Sequence, residues 1–428
     1  MKRILILIVL MLAGCGESTY TAKVEQQADS TKVIQHSETE DVFAQLSKAF
    51  IISEPEGRLL NNLKLITDQQ AETIIGAYET KFVTGPALDP IGLPLNGLSS
   101  ITNHQAETLG KVRYHPPKAA YYCTLYLNGL TSINEEQAKG LSKAESLELN
   151  GLTSITDEQA KSLGRVEDLY LNGLKSISDQ QAESLSKVEY LNLNGLTSIS
   201  DQQAESLSNR SFLELNGLAT ISNQQAENLS KIGSLVLNGL TSITDQQAES
   251  LGKAESLELN GLTSITDQQV ESLSKVEYLY LNGLTSITDQ QVESLSKVEY
   301  LYLNGLTSIT DQQAESLNSG EGLEENIHQN NRYHLELNGL TSISNQQAEH
   351  LSKIGSLILN GLTSITDQQA ESLGKTGSLE LEGLTSITDT QAQSLRKIPL
   401  GLVISDACYD VVSRYMKFGL TKASERKY

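Results

Sequence analysis

Residues 279–300 read LYLNGLTSITDQQVESLSKVEY, and the chain continues at once with LYLNGLTSITDQQAESL from Leu301. The preceding copy, 257–278, differs from this stretch at one position, where Glu258 stands in place of Tyr280. Asn-Gly-Leu corners recur every 22 residues from Asn128 to Asn304; with Asn96, Asn338, Asn360 and the variant corners at Asn61 and Glu382 they number fourteen. Longer steps mark insertions near 73–92, 111–121 and 318–334. A period of 22 is two repeats of an 11-residue right-handed coiled coil, but a glycine and several β-branched residues in each copy exclude a continuous helix.

The unit therefore contains two kinds of element. In Tyr278-Leu279-Tyr280-Leu281-Asn282 apolar and polar positions alternate, the pattern of a short half-buried strand. Thr288 with Gln291 three residues later has the pattern of a capping box, and Ile287 with Val292 that of a hydrophobic staple. A helix from Asp289 to about Ser296 places Asp289 at its positive end. Seven positions per unit are apolar, here Val276, Leu279, Leu281, Leu284, Ile287, Val292 and Leu295. At about 1.5–3 kcal/mol each, they barely offset the ordering of one unit alone, whereas a stack buries both sides of every turn.

The run Val-x-x-Leu-x-Leu-x-Gly-Leu-x-x-Ile-Thr-Asp-x-x-Ala-x-x-Leu resembles the leucine-rich repeat family, in the subtype whose strand leads to an Ile-Thr-Asp helix start. The resemblance covers residues 60 to about 398. It implies an α/β solenoid with parallel strands on a concave face and short helices on a convex one; the alternative is a parallel β-helix. The ninth position, usually Asn or Cys in the family, is leucine here, as at Leu262 and Leu284, so the family's asparagine ladder does not transfer. Asn260 and Asn282, two residues earlier, are placed to form a different ladder along the strand ends.

The ends read differently. Residues 1–14 begin with Lys2 and Arg3 and continue into an apolar run too short to span a bilayer, the plan of an export signal. Leu12-Ala13-Gly14-Cys15 resembles the bacterial lipobox, which implies lipid on Cys15, and Gly16 resembles the outer-membrane sorting choice of Gram-negative lipoproteins. The expected localisation is thus the bacterial cell envelope. Residues 15–38 are expected to form a flexible tether, 39–59 an N-terminal cap, 60–398 the solenoid and 399–428 a C-terminal cap. Cys123 and Cys408 sit near opposite ends of the array; at about 4.8 Å per turn they lie roughly 55–60 Å apart, so buried unpaired thiols are expected rather than a disulfide.

With 38% hydrophobic and 20% charged residues the composition is globular, and the net charge of −21 argues against nucleic acid and against a polybasic membrane patch. The repeat sets like groups beside like, whereas catalysis needs unlike groups converging in one pocket. No phosphate loop, nucleophile elbow or dinucleotide fingerprint is present. No cofactor or metal is expected: His328 and His334 lack a zinc spacing, and Asp267 and Asp289 are explained as helix N-terminal residues rather than calcium ligands.

The two positions flanking the first strand leucine vary while the frame stays fixed. They bring Tyr278, Tyr280, Tyr300 and Tyr302 onto adjacent strands, with Arg332, Tyr333 and His334 of the insertion alongside. This is the expected ligand-binding patch; the structural reading is that the tyrosines only pair across strands. Arg113, Tyr114, His115, Tyr121 and Tyr122 form a weaker candidate. The expected function is non-catalytic: protein–protein interaction or scaffolding, with carbohydrate binding, a passive spacer or an enzyme hidden in the insertions as alternatives.

Overall fold

The computed structural model describes residues 60–82, 92–112, 123–318, 334–416 and 419–425. The signal peptide, Cys15, the tether, the 39–59 cap, Arg332, Tyr333 and the candidate loop at 113–122 lie outside them.

Among the described residues fifteen strands, β1 (Leu93–Pro94) to β15 (Leu420–Lys422), form a single sheet in strict sequence order. Every pairing is parallel, and the register sets each strand leucine on its equivalent, as Leu257↔Leu279 and Leu279↔Leu301. Helices α1 (Asp68–Phe82) to α15 (Asp406–Val412) alternate with the strands and pack chiefly on the helices before and after them. The fold is an α/β leucine-rich repeat solenoid. A helical segment in each turn replaces the third strand face that a parallel β-helix would carry.

One turn shows why this sequence takes this path. Strand β9 (Tyr278–Tyr280) buries Leu279 fully, and Leu281, Leu284, Val292 and Leu295 are also inaccessible. Helix α10 (Asp289–Leu295) has seven residues, below the about 12–15 at which an isolated helix becomes even marginal in water. It persists because its ends are tied down. Thr288 Oγ1 accepts from the Gln291 N–H at 3.1 Å and Gln291 Oε1 accepts from the Thr288 N–H at 3.0 Å, a complete capping box. The same glutamine side chain then donates through Nε2 to the Ile265 carbonyl of the preceding turn at 2.8 Å.

The corner asparagines make the second tie. The Asn282 N–H donates to Oδ1 of Asn260 at 3.0 Å, and the Asn304 N–H to Oδ1 of Asn282 at 2.9 Å. The bond recurs at every step, from Asn61–Asn96 to Asn360–Glu382. It is kept across the insertion near 318–334, where the Asn338 N–H donates to Asn304 at 2.9 Å and Tyr300 stays in register with His334. The turns on either side of the insertion thus stack as directly as those joined by an ordinary period.

Corner glycines are needed for closeness rather than for an unusual backbone; the only positive φ at a described glycine is that of Gly419. A Cβ on Gly283 would fall under 3.0 Å from the carbonyl oxygens of Asn260 and Leu262 in the preceding turn.

Three features depart from a uniform repeat. Ile287, expected in the core, is only half-buried, and its equivalents Ile243 and Ile309 keep 9% and 8% exposure, because this row stands at the helix entrance on the rim of the core. Arg210 occupies the buried position of Val188 and Ile232; its guanidinium donates to the Leu207 and Leu185 carbonyls at 2.8 and 3.3 Å. Finally, the sheet runs on past Ile398: β14 (Gly401–Ile404) pairs Leu402 with Leu379, and β15 pairs with β14. Cys123 and Cys408 are both buried. No helix among the described residues is long and apolar enough to cross a membrane.

Asn260→Ala removes an acceptor and strands the Asn282 N–H in a part-buried site, so it is expected to cost about 1–3 kcal/mol. Thr285→Ala, at an exposed position of the same corner, is expected to stay within about 0.5 kcal/mol of wild type. Denaturant midpoints of the two variants measure the difference.

Candidate binding surface

The two strand positions beside each buried leucine form two parallel rows on the sheet face. Tyr278 stacks on Tyr300 with ring centroids 4.1 Å apart and planes 10° apart; Tyr280 stacks on Tyr302 at 3.9 Å and 9°. The strand spacing of about 4.8 Å holds equivalent residues close to ring-stacking distance, so identical copies in register generate the stacks. His334 of β11 (His334–Glu336) closes the array, its ring centroid 5.2 Å from Tyr302 and 6.1 Å from Tyr300. Five of the seven expected ligand-binding residues therefore stand together, all partly exposed; Arg332 and Tyr333 lie outside the described residues.

Carboxylates stand at both ends of the stack. Glu258 faces Tyr280 from β8 (Ser256–Glu258), and Glu336 faces Tyr302 from β11. Each is held by two corner asparagines: Asn238 and Asn260 donate to Glu258 Oε2 at 3.1 and 3.3 Å, and Asn304 and Asn338 donate to Glu336 Oε2 at 3.0 and 3.4 Å. His334 Nδ1 lies 3.0 Å from Ser356 Oγ and Nε2 lies 3.4 Å from Glu336 Oε1, so both ring nitrogens are engaged. Both glutamates occupy the variable strand positions but were not among the expected ligand-binding residues, although an acid two residues before a corner asparagine was the available signal.

The stack disfavours phenolate. The hydrogen bond to Tyr300, followed by burial and the charges of Glu277 and Glu299, pushes the Tyr278 phenol up to about 12. Burial, then the hydrogen bond to Tyr280 and the charge of Glu336, raises Tyr302 as well. Burial also raises Tyr280, against a hydrogen bond from Tyr302 that lowers it.

Elsewhere on the same face Tyr190 stacks on Phe212 at 6.0 Å and 23°. Asp168 has an Oδ1 that is buried without a hydrogen bond, and burial together with Glu167, Glu189 and Glu145 raises its carboxyl to about 6. Away from the rows, a cleft beside Lys111, Lys143, Arg165, Glu145 and Glu167 mixes both signs of charge, and Lys143 already pairs with Glu107. Among the described residues no three His, Cys, Asp or Glu side chains are grouped to hold a metal.

No protein-family model and no curated protein matches the chain. Solved structures do. An internalin from Listeria monocytogenes is 18% identical with a TM-score of 0.43, covering 76% of this chain and 89% of its own. Toll, in the Toll–Spätzle complex of Drosophila, is 15% identical with a TM-score of 0.46, covering 71% of this chain and 41% of its own. The fold assignment rests on the strand order and register described above.

A tyrosine whose folded-state pKa is raised contributes stability that is present below its unfolded value of 10.0 and lost as pH rises through the folded value of about 12. Thermal midpoints of the wild type are accordingly expected to fall through this window. The double variant Tyr278→Phe, Tyr302→Phe, which cannot ionise there, is expected to show a flatter profile. Parallel profiles would show that the two hydroxyls are not perturbed by the fold.

Proposed function

We propose that the chain is a non-catalytic interaction scaffold of the bacterial cell envelope, anchored through lipid on Cys15, whose tyrosine-bearing sheet face recognises another protein. The observation that carries this reading is the cluster of Tyr278, Tyr280, Tyr300, Tyr302 and His334. Ladder asparagines, corner glycines and core leucines repeat because each turn must fit the last. Aromatics at the two free strand positions satisfy no such requirement, and they offer a large, rigid, partly apolar surface at low entropic cost.

The stacking geometry favours protein over carbohydrate. With rings 3.9–4.1 Å apart, each pair hides its mutual faces, and the outer faces left open at Tyr278 and Tyr280 stand beside the strand of Glu258, an arrangement that suits a cationic protein side chain. The non-catalytic reading is supported by the repeat itself, whose ladder, capping and core positions set like groups beside like. The lipid anchor is supported by Leu12-Ala13-Gly14-Cys15, and the choice of outer membrane by Gly16.

Alanine at both Tyr280 and Tyr302 is expected to abolish photo-crosslinking to envelope proteins from a probe at Tyr300, with circular dichroism unchanged. Loss of glycan-array binding in place of protein adducts would identify a carbohydrate ligand, and no change in either would leave a spacer. Wild type is expected to incorporate labelled palmitate and Cys15→Ala none; equal labelling would remove the anchor.

A further inference from the structure

The tyrosine stack ends abruptly at β8. Beyond Tyr278 the same row continues through Ser256 and Ser234, whose hydroxyls lie 3.4 Å apart, and reaches the next ring at Phe212. Two serine strands thus form the floor of a slot with an aromatic wall on either side. The walls stand three strand spacings apart, about 14 Å. Each wall ring is backed on its far face, Tyr278 by Tyr300 and Phe212 by Tyr190, and across the slot floor it meets only serine among the described residues.

An acid accompanies each wall. Glu214 lies two residues after Phe212 on the same strand, bonded by Asn192 and Asn216, and Glu258 stands in the floor strand next to Tyr278, held at Oε2 by Asn238 and Asn260. Between them the row carries Val236, which is buried. From Thr124 to Val403 the two rows hold Glu148, Asp168, Glu214, Glu258, Glu336 and Glu380, but no lysine or arginine; His334 is their one basic side chain among the described residues. The lysines and arginines of the repeat, such as Lys253, Lys275 and Lys297, follow the helices instead.

We infer that the slot between Phe212 and Tyr278 receives arginine side chains of a basic, extended segment of the partner protein. A guanidinium is planar, stacks on an aromatic face and pairs with a carboxylate in a fork. The slot supplies ring, carboxylate and a small polar floor together on both sides, and the net charge of −21 draws a basic segment toward it. This deepens the protein-recognition reading of the same face and rests on it.

Ser256→Tyr is the discriminating variant. It installs the residue that the next two turns already carry at that position, so it is compatible with the fold; it fills half the slot and leaves net charge untouched. Calorimetric titration with a short Arg-Gly peptide, against a Gly-Ser peptide of equal length, is expected to show binding of the first alone, weakening as salt rises. Ser256→Tyr is expected to weaken it about tenfold or more and Glu258→Gln about threefold. The pair Glu183→Gln, Glu205→Gln, on the exposed helix face, should change it less than about twofold. No binding of the arginine peptide, or equal loss in the helix-face control and the slot variants, would overturn the inference. If the peptide fails while alanine at Tyr280 and Tyr302 still abolishes protein adducts, the slot is wrong and the broader reading stands; if the adducts are also insensitive, both fall.

Discussion

The structure depends on a single contact: a corner asparagine carboxamide that accepts the backbone N–H of the equivalent residue one turn later. The bond runs at 2.8–3.1 Å from Asn61 to Glu382. It fixes the distance between turns, and from that distance the rest follows. At this spacing glycine is the residue that fits under two carbonyl oxygens at the corners from Gly97 to Gly383, leucine rows interdigitate, and the capping glutamine reaches back to the preceding isoleucine carbonyl. A turn of this solenoid is therefore stable only as a neighbour, which is why its copies are nearly identical and why an insertion near 318–334 must return the chain to register.

The same constraint decides where recognition can reside. Positions that bond or pack across the turn interface are not free to vary, and the helix N-termini are committed to capping. The two rows beside the strand leucines are left. Stacking in register converts a repeated tyrosine into a column of rings and a repeated serine into a trough, so small changes between copies are read out as contiguous surface. Glutamates in the second row are held by the ladder asparagines themselves, which links the charge of the surface to the element that sets its spacing.

Much of this was legible in the sequence for a physical reason. Periodicity reports packing, so the strand leucines, the Thr288–Gln291 box, the α10 boundaries and the corner ladder could be read from one copy. The tyrosine cluster was legible because register is inherited from the period. Other features depend on distances between turns, which no single copy records. Gly283 is required by the carbonyls of Asn260 and Leu262 rather than by its own torsion angles. Gln291 has a second bond one turn away. Ile287 lies on the rim. The buried Arg210 and the strand at 401–404 break the consensus, and so they fall outside any reading based on it.

The central claim is that stability resides in the fit between successive turns rather than in any one of them. Excising 266–287 removes one full period and rejoins Ile265 to Thr288, so every ladder bond, glycine contact and leucine row is re-formed between turns that are near copies. Excising 266–286 removes one residue fewer and slips the frame. Denaturant unfolding of the two deletion proteins is the direct measurement. The in-phase deletion is expected to keep a single cooperative transition close to wild type, and the out-of-phase deletion to lose cooperativity. Equal stability of the two, or equal collapse, would contradict the account.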